Sequence, residues 1–527
     1  DNTDFPRSWL LPILRDSIRG TELAFFVNYF LPLANTLHHN VVKEKERNTA
    51  LSKTYELLEL QIWALLPGFC TSPTDIVASF SKLARTLGEA LNNRPNLRLE
   101  VMSALRLLIN TASNNEADLA EVGRFAKNFL PIFFNLYTQE TNGSHEEGVR
   151  LAVYDTIKVY VKTADSKLCT SLFLKATEKL SARETTAFNR HAIMDLARAL
   201  FCKMDVGDVD ALFDIAKTNI ESDDRTVQKK SYRVLEEICH ATTDAGRAFL
   251  QSHIPQLKSL LLDSLRRASP ASRAPRLRCL CLLMVNLNQS NKPFALAALR
   301  EAVLCVRVNA SKVRQAAYLV VLEVGRALSR WSATPEAGVQ ELVEQLAAGF
   351  AGSPYAISCT VLALSAVLYE FKGQYTGDML NNIIEAVGLL MASPSREVIQ
   401  ASLYFVRMLF VLLKEEDLAV HLEKLVTWLC NLNEDCRKHF RIKLRNMFTK
   451  LIRRFGYENI AGMVPDSHRK QISNIRKVEA RRKNRNQEKE ESEEDPMMTP
   501  MTGAKGYVAQ LQLCCRLFNC AKFWIML

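Results

Sequence analysis

One helical pattern recurs along most of the chain and constrains the fold more than any other feature. In this pattern an apolar residue, often followed by Arg or Gln, precedes apolar or small residues four, eight and eleven positions later. These offsets place the side chains on one face of an α-helix, which marks that face as buried. Nine copies begin 36 to 52 residues apart, at Leu97, Val149, Phe188, Val227, Leu277, Val313, Ile357, Val398 and Cys436.

A repeat of about 40 residues is typical of paired helices that stack on the next pair, as in HEAT and armadillo proteins. We therefore predict an all-α fold: an α-solenoid of HEAT/armadillo-like repeats with a basic C-terminal helix and a disordered tail. No alternation of apolar and polar residues indicates a sheet domain. Because each repeat buries its apolar face on its neighbours, a chain of 527 residues needs no single large core.

The composition changes divide the chain into three predicted regions. Residues 1–461 form the solenoid, and we expect further repeats before residue 1 because the chain begins with repeat-like helices. Residues 462–489 form a polar, basic helix. Residues 490–527 form an acidic and then apolar tail, mostly disordered. Its apolar segment is interrupted by Arg516 and Lys522, so we expect no membrane span, and lipidation at Cys514 and Cys515 is an alternative.

Positive charge is concentrated near the C-terminal end of the chain. The net charge is +11, yet residues 437–454 alone carry eight Lys or Arg and no acid. A solvated helix face normally mixes both signs, so this stretch indicates contact with a polyanion, with RNA preferred. The alternative is a polar outer face that closes the array. The predicted nucleic-acid-binding residues are Arg437, Lys438, Arg441, Lys443, Arg445, Lys450, Arg453 and Arg454.

A second basic segment has the spacing of a bipartite nuclear-import signal, which an importin would bind. Two basic residues and a ten-residue spacer precede four basic residues in five, and a further RNA-contacting helix is the alternative. Ser492 lies among acidic residues and is a candidate phosphorylation site. The predicted signal consists of Arg469, Lys470, Arg481, Arg482, Lys483 and Arg485.

Neither a catalytic motif nor a cofactor-binding motif is present in the sequence. It has no phosphate-binding Gly-rich loop with Lys-Ser/Thr, no His-Glu-x-x-His and no Gly-x-Ser-x-Gly. Cys430, Cys436 and His439 lie close in sequence, but a fourth metal ligand is lacking. The thirteen Cys show no disulfide spacing, which favours a reducing compartment. We expect no enzymatic activity, no metal and no cofactor.

Three segments together resemble the ribosomal RNA processing protein twelve-like family. The first is residues 61–70, followed by Pro73 and Asp75; the second is residues 129–137; the third is residues 468–483. Within the first segment, Trp63, Leu66 and Phe69 are expected to pack in the core, while Pro67 and Gly68 end the helix. The predicted structural motif is Trp63, Leu66, Pro67, Gly68, Phe69 and Cys70.

The resemblance implies a nucleolar and nuclear HEAT-repeat protein that shuttles to the cytoplasm. It implies association with pre-ribosomal RNA and ribosomal proteins, small-subunit maturation and nuclear export of subunits, with links to Ran and nucleoporins. The leading hypothesis is thus a non-enzymatic ribosome biogenesis factor. Two alternatives remain open: a karyopherin-like adaptor that binds Ran and protein cargo without RNA, and a regulatory HEAT scaffold for an enzyme.

Overall fold

The computed structural model describes residues 9–140, 143–181 and 186–490, with the side chains of residues 144, 145, 181, 479 and 482–490 outside that description. Over these residues the chain forms helices joined by turns, without any strand. The predicted all-α class is confirmed. The chain divides into two compact units between Cys279 and Leu280.

The first unit contains the helices up to α15, and α16 spans the division between the units. A π-helical turn, Phe26–Phe30, joins α2 to α3. The helices are α1 Leu10–Ser17, α2 Leu23–Phe25, α3 Leu31–Glu44, α4 Thr49–Trp63, α5 Leu66–Phe69, α6 Ile76–Asn93, α7 Arg98–Ala112, α8 Glu116–Arg124, α9 Ala126–Thr138, α10 Ser144–Tyr160, α11 Ser166–Ser181, α12 Ala187–Ala199, α13 Val206–Asn219, α14 Arg225–His240, α15 Asp244–Asp263 and α16 Arg273–Val285.

The second unit continues the same plan of paired helices and ends in one long helix. Its helices are α17 Lys292–Cys305, α18 Ser311–Trp331, α19 Pro335–Ala347, α20 Pro354–Glu370, α21 Gly377–Leu390, α22 Arg396–Leu412, α23 Glu415–Val420, α24 Leu422–Cys430, α25 Glu434–His439, α26 Arg441–Phe455, α27 Tyr457–Met463 and α28 Asp466–Glu490.

The repeated sequence pattern marks helices that pack against one another. The copies that begin at Leu97 and Val313 lie on α7 and α18, and their four pattern positions are all buried. Successive pattern-bearing helices are in contact, α7 with α10 and α12 with α14 in the first unit, and α18 with α20 and α20 with α22 in the second. Each buried Leu or Val side chain contributes roughly 1.5–3 kcal/mol, so this face stabilises the array.

The Arg that follows the first pattern residue has a structural role in three copies. Arg98 donates from Nε to the carbonyl of Leu91, 2.9 Å away in the last turn of α6. Arg150 donates in the same way to Tyr137 O in the last turn of α9, at 3.2 Å, and Arg314 donates to Asn309 O at 2.7 Å. The carbonyls at a helix end lack intrahelical donors, so the bonds of Arg98 and Arg150 tie α7 and α10 to the end of the preceding helix. Arg314 instead ties α18 to the loop that follows α17.

The last copy of the pattern lies on two helices, whereas the sequence predicts one continuous helix over 436–455. The backbone at Phe440 has φ −96° and ψ 17°, outside the α-helical range, which separates α25 from α26. The Phe440 side chain is nevertheless buried, as are Leu444, Met447 and Leu451. The buried face is therefore kept across the break.

We predict that Gly388 is required for the packing of α21 on α24. A Cβ atom at Gly388 would overlap the Trp428 ring, so Gly388→Ala forces that indole to move. Overpacking of this kind costs about 1–3 kcal/mol, and we expect a lower thermal unfolding midpoint. Gly377→Ala in the same helix is the control, because no atom lies within 4 Å of its Cβ position. Equal midpoints for the two variants would contradict the packing described here.

Candidate nucleic-acid interface

The eight basic residues predicted to bind nucleic acid lie on α25 and α26. Arg437 and Lys443 are half-buried. The opposite side of α26 carries Leu444, Phe448 and Leu451, which are buried in the second unit and fix the orientation of the helix. The exposed members of the set, here called the basic face, are Lys438, Arg441, Arg445, Lys450, Arg453 and Arg454.

Most of this positive charge is not neutralised within the structure. Lys438 pairs with Glu434 at 2.7 Å, an exposed contact between neighbouring turns. Among the residues that the structure describes, no ion pair involves Arg441, Arg445, Lys450 or Arg454. These four side chains are available to phosphate groups, and their contact would be mainly electrostatic.

A groove of about 390 Å³ lies between α22 and α26 and continues the basic face inwards. Arg407 and Tyr404 enter it from α22, and Lys443, Lys450 and Asn446 enter it from α26. The ammonium of Lys443 lies 3.4 Å from the Tyr404 hydroxyl and 4.6 Å from the centre of its ring. The full lining is Leu403, Tyr404, Arg407, Phe410, Lys443, Asn446, Met447, Thr449, Lys450 and Arg453.

The titration of two groove residues reflects the local excess of positive charge. The pKa of Lys450 is lowered, first by burial and then by the positive charges of Arg407 and Arg454. Burial opposes ionisation of Tyr404, but the hydrogen bond from Gln400 and the charge of Lys443 outweigh it and lower the tyrosine pKa. Both shifts have the sign expected of a site with a positive potential.

Arg407 and Tyr404 are candidate site residues that the sequence pattern did not reveal. Arg407 lies 36 residues before Lys443, on the preceding pattern-bearing helix, and is the only basic residue between Arg396 and Leu413. A single Arg does not stand out when a sequence is searched for clusters of basic residues. Alignment of the repeats could have found it, because helices one repeat apart pack side by side.

The residues of the predicted nuclear-import signal are divided along α28. Ile472 and Ile475 are buried, and α28 packs on α26 and α27 through this part. Arg469 and Lys470 are exposed there, and Arg469 pairs with Asp466 at 3.0 Å. Arg481 is also exposed. The side chains of Arg482, Lys483 and Arg485 lie outside the described residues, as do Ser492 and residues 491–527 of the predicted tail 490–527. Glu490 is the last residue of α28.

The buried imidazole of His468 connects α28 to α25. Its Nε2 lies 3.4 Å from Arg437 Nη1. Burial and then the charge of Arg437 lower the pKa of His468, so the neutral imidazole is favoured at neutral pH. Arg437 therefore contacts α28.

Cys430 and Cys436, which lie close to His439 in the sequence, are buried core residues. No group of three His, Cys, Asp or Glu within the described residues has the arrangement of a metal site. Cys430 and Cys436 are buried, and burial raises the pKa of the Cys430 thiol to about 11, which disfavours the thiolate that metals and electrophiles require. No helix in the described part of the chain combines the length and apolar character needed to cross a bilayer.

Comparison of the chain with known proteins indicates one family. A family model described as "Ribosomal RNA-processing protein 12, HEAT repeats" matches residues 1–140. The RRP12-like protein of Gallus gallus is 41% identical over 482 residues, which is 91% of this chain and 37% of that protein. The RRP12-like protein of Homo sapiens is 42% identical over 484 residues, 92% of this chain and 37% of that protein. The chain belongs to the RRP12-like family.

The chain spans just over a third of the length of these relatives. A solved structure, the Kap95:Nup1 complex, matches the fold with a TM-score of 0.50 at 12% identity, covering 88% of this chain and 64% of that chain. At this level of identity the likeness concerns the fold alone. It agrees with the HEAT-like arrangement of paired helices.

The first segment of the family resemblance is a packing element. Trp63, Leu66, Phe69 and Cys70 are buried, and the Phe69 ring lies 5.6 Å from that of Phe26. The prediction that Pro67 and Gly68 end the helix is wrong. Helix α4 already ends at Trp63, and both residues lie inside the short helix α5, where a Cβ on Gly68 would lie 3.0 Å from the carbonyl oxygen of Ile18. Gly68 thus permits close approach of the chain after α1.

Asp75, which follows this motif, holds the start of α2. Its carboxylate accepts hydrogen bonds from the backbone N–H groups of Leu23, at 2.6 Å, and Ala24, at 2.9 Å, and from the Ser79 hydroxyl. Partial burial opposes ionisation, but the bonds from Ser79, Ala24 and Leu23 outweigh it and lower the pKa of Asp75. The carboxylate thus satisfies donors that lack partners at a helix N-terminus.

We predict that Asp75→Ala reduces the free energy of unfolding by about 1–2 kcal/mol at neutral pH, as loss of a helix cap does. Because the folded pKa is lowered, this stabilisation is present above the unfolded pKa of about 3.9 and is lost as the pH falls through the folded value. The difference from the unaltered chain should therefore shrink in acid. Urea unfolding across pH measures it, with Asp214→Ala, at an exposed mid-helix carboxylate, as control. A difference that grows in acid would contradict the assignment.

Proposed function

We propose that the chain is part of a ribosomal RNA-processing factor and that its basic face binds pre-ribosomal RNA. The observation that carries the proposal is a set of four exposed cations on α26 that form no ion pair with other described residues: Arg441, Arg445, Lys450 and Arg454. The family is described as ribosomal RNA-processing. The exposed face of α26 carries only positive charge and can therefore bind a phosphate backbone. Phosphate contacts supply much of the affinity in protein–nucleic acid complexes.

The proposed role is structural and not catalytic. The paired helices would bind ribosomal proteins or pre-ribosomal RNA over many modest contacts, as repeat proteins do. Maturation of the small subunit, nuclear export of subunits, and contacts with Ran and nucleoporins are proposed for the whole protein on the family resemblance. Nucleolar and nuclear localisation, with shuttling to the cytoplasm, is proposed on the same basis.

We predict that RNA affinity depends steeply on salt and on the basic face. If five phosphates of a single strand are neutralised, the slope of log K against log salt is about −3.5. The triple variant Arg441→Gln, Arg445→Gln and Arg454→Gln should make this slope shallower by about 2, because each lost contact contributes about 0.7. Fluorescence anisotropy with a labelled single-stranded RNA from 50 to 300 mM KCl measures it.

The matched control for this experiment removes the same charge elsewhere. Arg225, Arg266 and Arg300 are exposed, lie outside α25 and α26, and form no ion pair with other described residues. Their triple change to Gln should leave the slope nearly unchanged, since contact is proposed at α26. Equal loss of affinity in the two triple variants would indicate a net-charge effect and would contradict a located interface.

We predict that the second basic cluster directs nuclear import. Replacement of Arg481, Arg482 and Lys483 with Ala should leave a fluorescently tagged chain in the cytoplasm, because the larger cluster of the bipartite signal is lost. The control is replacement of Lys43, Lys53 and Lys82, exposed or half-exposed basic residues of the first unit. Unchanged nuclear location of the first variant would argue against the signal.

A further inference from the structure

Polar contacts between neighbouring pattern-bearing helices pair opposite charges at several positions along the chain. Between α12 and α14, Asp195 pairs with Lys230. Between α14 and α16, Arg278 donates two hydrogen bonds to the carboxylate of Glu236, at 2.5 and 2.8 Å. Each of these contacts brings a cation together with an acid within its own unit.

Opposite charges also pair between α18 and α20 in the second unit. Arg326 of α18 pairs with Glu370 of α20 and lies 3.1 Å from Glu323 of its own helix. Arg330 also reaches Glu323, at 3.1 Å. In these pairs the acid neutralises the cation, which offsets part of the cost of its burial. Elsewhere a cation contacts a phenol: Arg198 of α12 donates to the Tyr154 hydroxyl of α10 at 2.8 Å, and the buried Arg276 of α16 donates to the Tyr232 hydroxyl of α14 at 3.3 Å.

The groove between α22 and α26 differs from these sites in the number of cations that line it. In the place of an acid, α22 presents the phenol of Tyr404 to the ammonium of Lys443. Arg407 and Lys450 enter the same groove, no acid lines it, and neither side chain has an ion pair within the described part of the chain. The half-buried Arg407 and Lys443 and the exposed Lys450 therefore carry positive charge that the protein leaves uncompensated.

Like charges that converge in a partly dehydrated groove repel one another, and an anion between them would remove that repulsion. The groove also contains neutral donors suited to phosphate oxygens. Tyr404 accepts hydrogen bonds from Gln400 and Lys443, which leaves its own proton to be donated into the groove. The amide of Asn446 is exposed at the groove lining.

We propose that the groove between α22 and α26 is a preformed site for one phosphate group, and that in the RNA-bound protein this phosphate belongs to the RNA backbone. The inference rests on the proposed function and gives it a defined contact point. Arg407 would hold the phosphate with its planar guanidinium, while Lys443, fixed by Tyr404, and Lys450 supply charge. RNA is favoured over a singly phosphorylated peptide because the exposed cations Arg441, Arg445 and Arg454 extend the positive surface along α26 for several further phosphates.

A preformed phosphate site requires hydrogen-bond donors in fixed positions, whereas a diffuse basic surface requires only positive charge. Lys keeps the charge of Arg407 but loses the two parallel N–H donors that match a phosphate, so Arg407→Lys distinguishes the two cases. On a diffuse surface this exchange is neutral. In a built site it weakens binding while the salt dependence, which reports the number of charges, stays the same.

The test measures the affinity of the complete 527-residue chain for a labelled single-stranded RNA by anisotropy, as a function of KCl. We expect Arg407→Gln to weaken binding about tenfold at 100 mM salt and to make the log–log slope shallower by about 0.7. We expect Arg407→Lys to weaken binding at least threefold with an unchanged slope. Arg300→Gln, which removes an exposed charge on α17, is the control and should bind as the unaltered chain does.

Two further variants keep the test decisive if a change at Arg407 disturbs folding, which circular dichroism will reveal. Tyr404→Phe removes the proposed hydroxyl donor together with the acceptor that Lys443 contacts, and Lys450→Gln changes an exposed side chain; both should weaken binding. Equal RNA affinity of the unaltered chain and all groove variants would contradict a phosphate site in the groove. It would not contradict RNA binding by the other residues of the basic face. Failure of the unaltered chain to bind RNA at all would instead contradict the proposed function, and this inference with it.

Discussion

The packing of each pattern-bearing helix against its neighbours is the interaction on which the rest of the structure depends. The face defined by offsets of 0, 4, 8 and 11 is buried, as Val313, Ala317, Val321 and Val324 show on α18. Arg98 and Arg150 bind the start of such helices to carbonyls at the end of the preceding helix, and Arg314 binds α18 to the loop before it. Because these contacts are local and repeated, the residues on the outer helix surfaces can vary. A basic surface on α26 therefore has little effect on the stability that core packing provides.

The parts of the fold that follow from periodicity could be predicted from the sequence, and those that depend on neighbouring repeats could not. Burial on one face has a fixed spacing, so the helical class and the buried residues of α26 were predictable. The break at Phe440 was not, because no Pro or Gly marks it. The early end of α4 at Trp63 was also missed, because Pro67 and Gly68 suggest a helix end but lie inside α5.

The candidate site shows the same division. Eight cations without an acid over residues 437–454 are visible in the sequence, and six of them are exposed in the structure. Their unequal roles required the structure: Arg437 contacts His468 of α28, Lys443 lies against Tyr404, and Lys438 pairs with Glu434. Arg407 enters the site from the preceding repeat, and only packing of α22 beside α26 brings it there. Arg407, Lys443 and Lys450 line this groove together and no acid does, so the groove suits an anion.

The most direct test of the central claim, that α26 and its groove contact pre-ribosomal RNA, is ultraviolet crosslinking of the tagged chain in cells. The bound RNA would be sequenced and the crosslinked peptides mapped by mass spectrometry. We expect ribosomal precursor RNA joined to peptides within residues 437–454, with a further crosslink near Tyr404 and Arg407 on α22. A folded, nuclear protein that crosslinks to no ribosomal RNA, or only through the first unit, would contradict it.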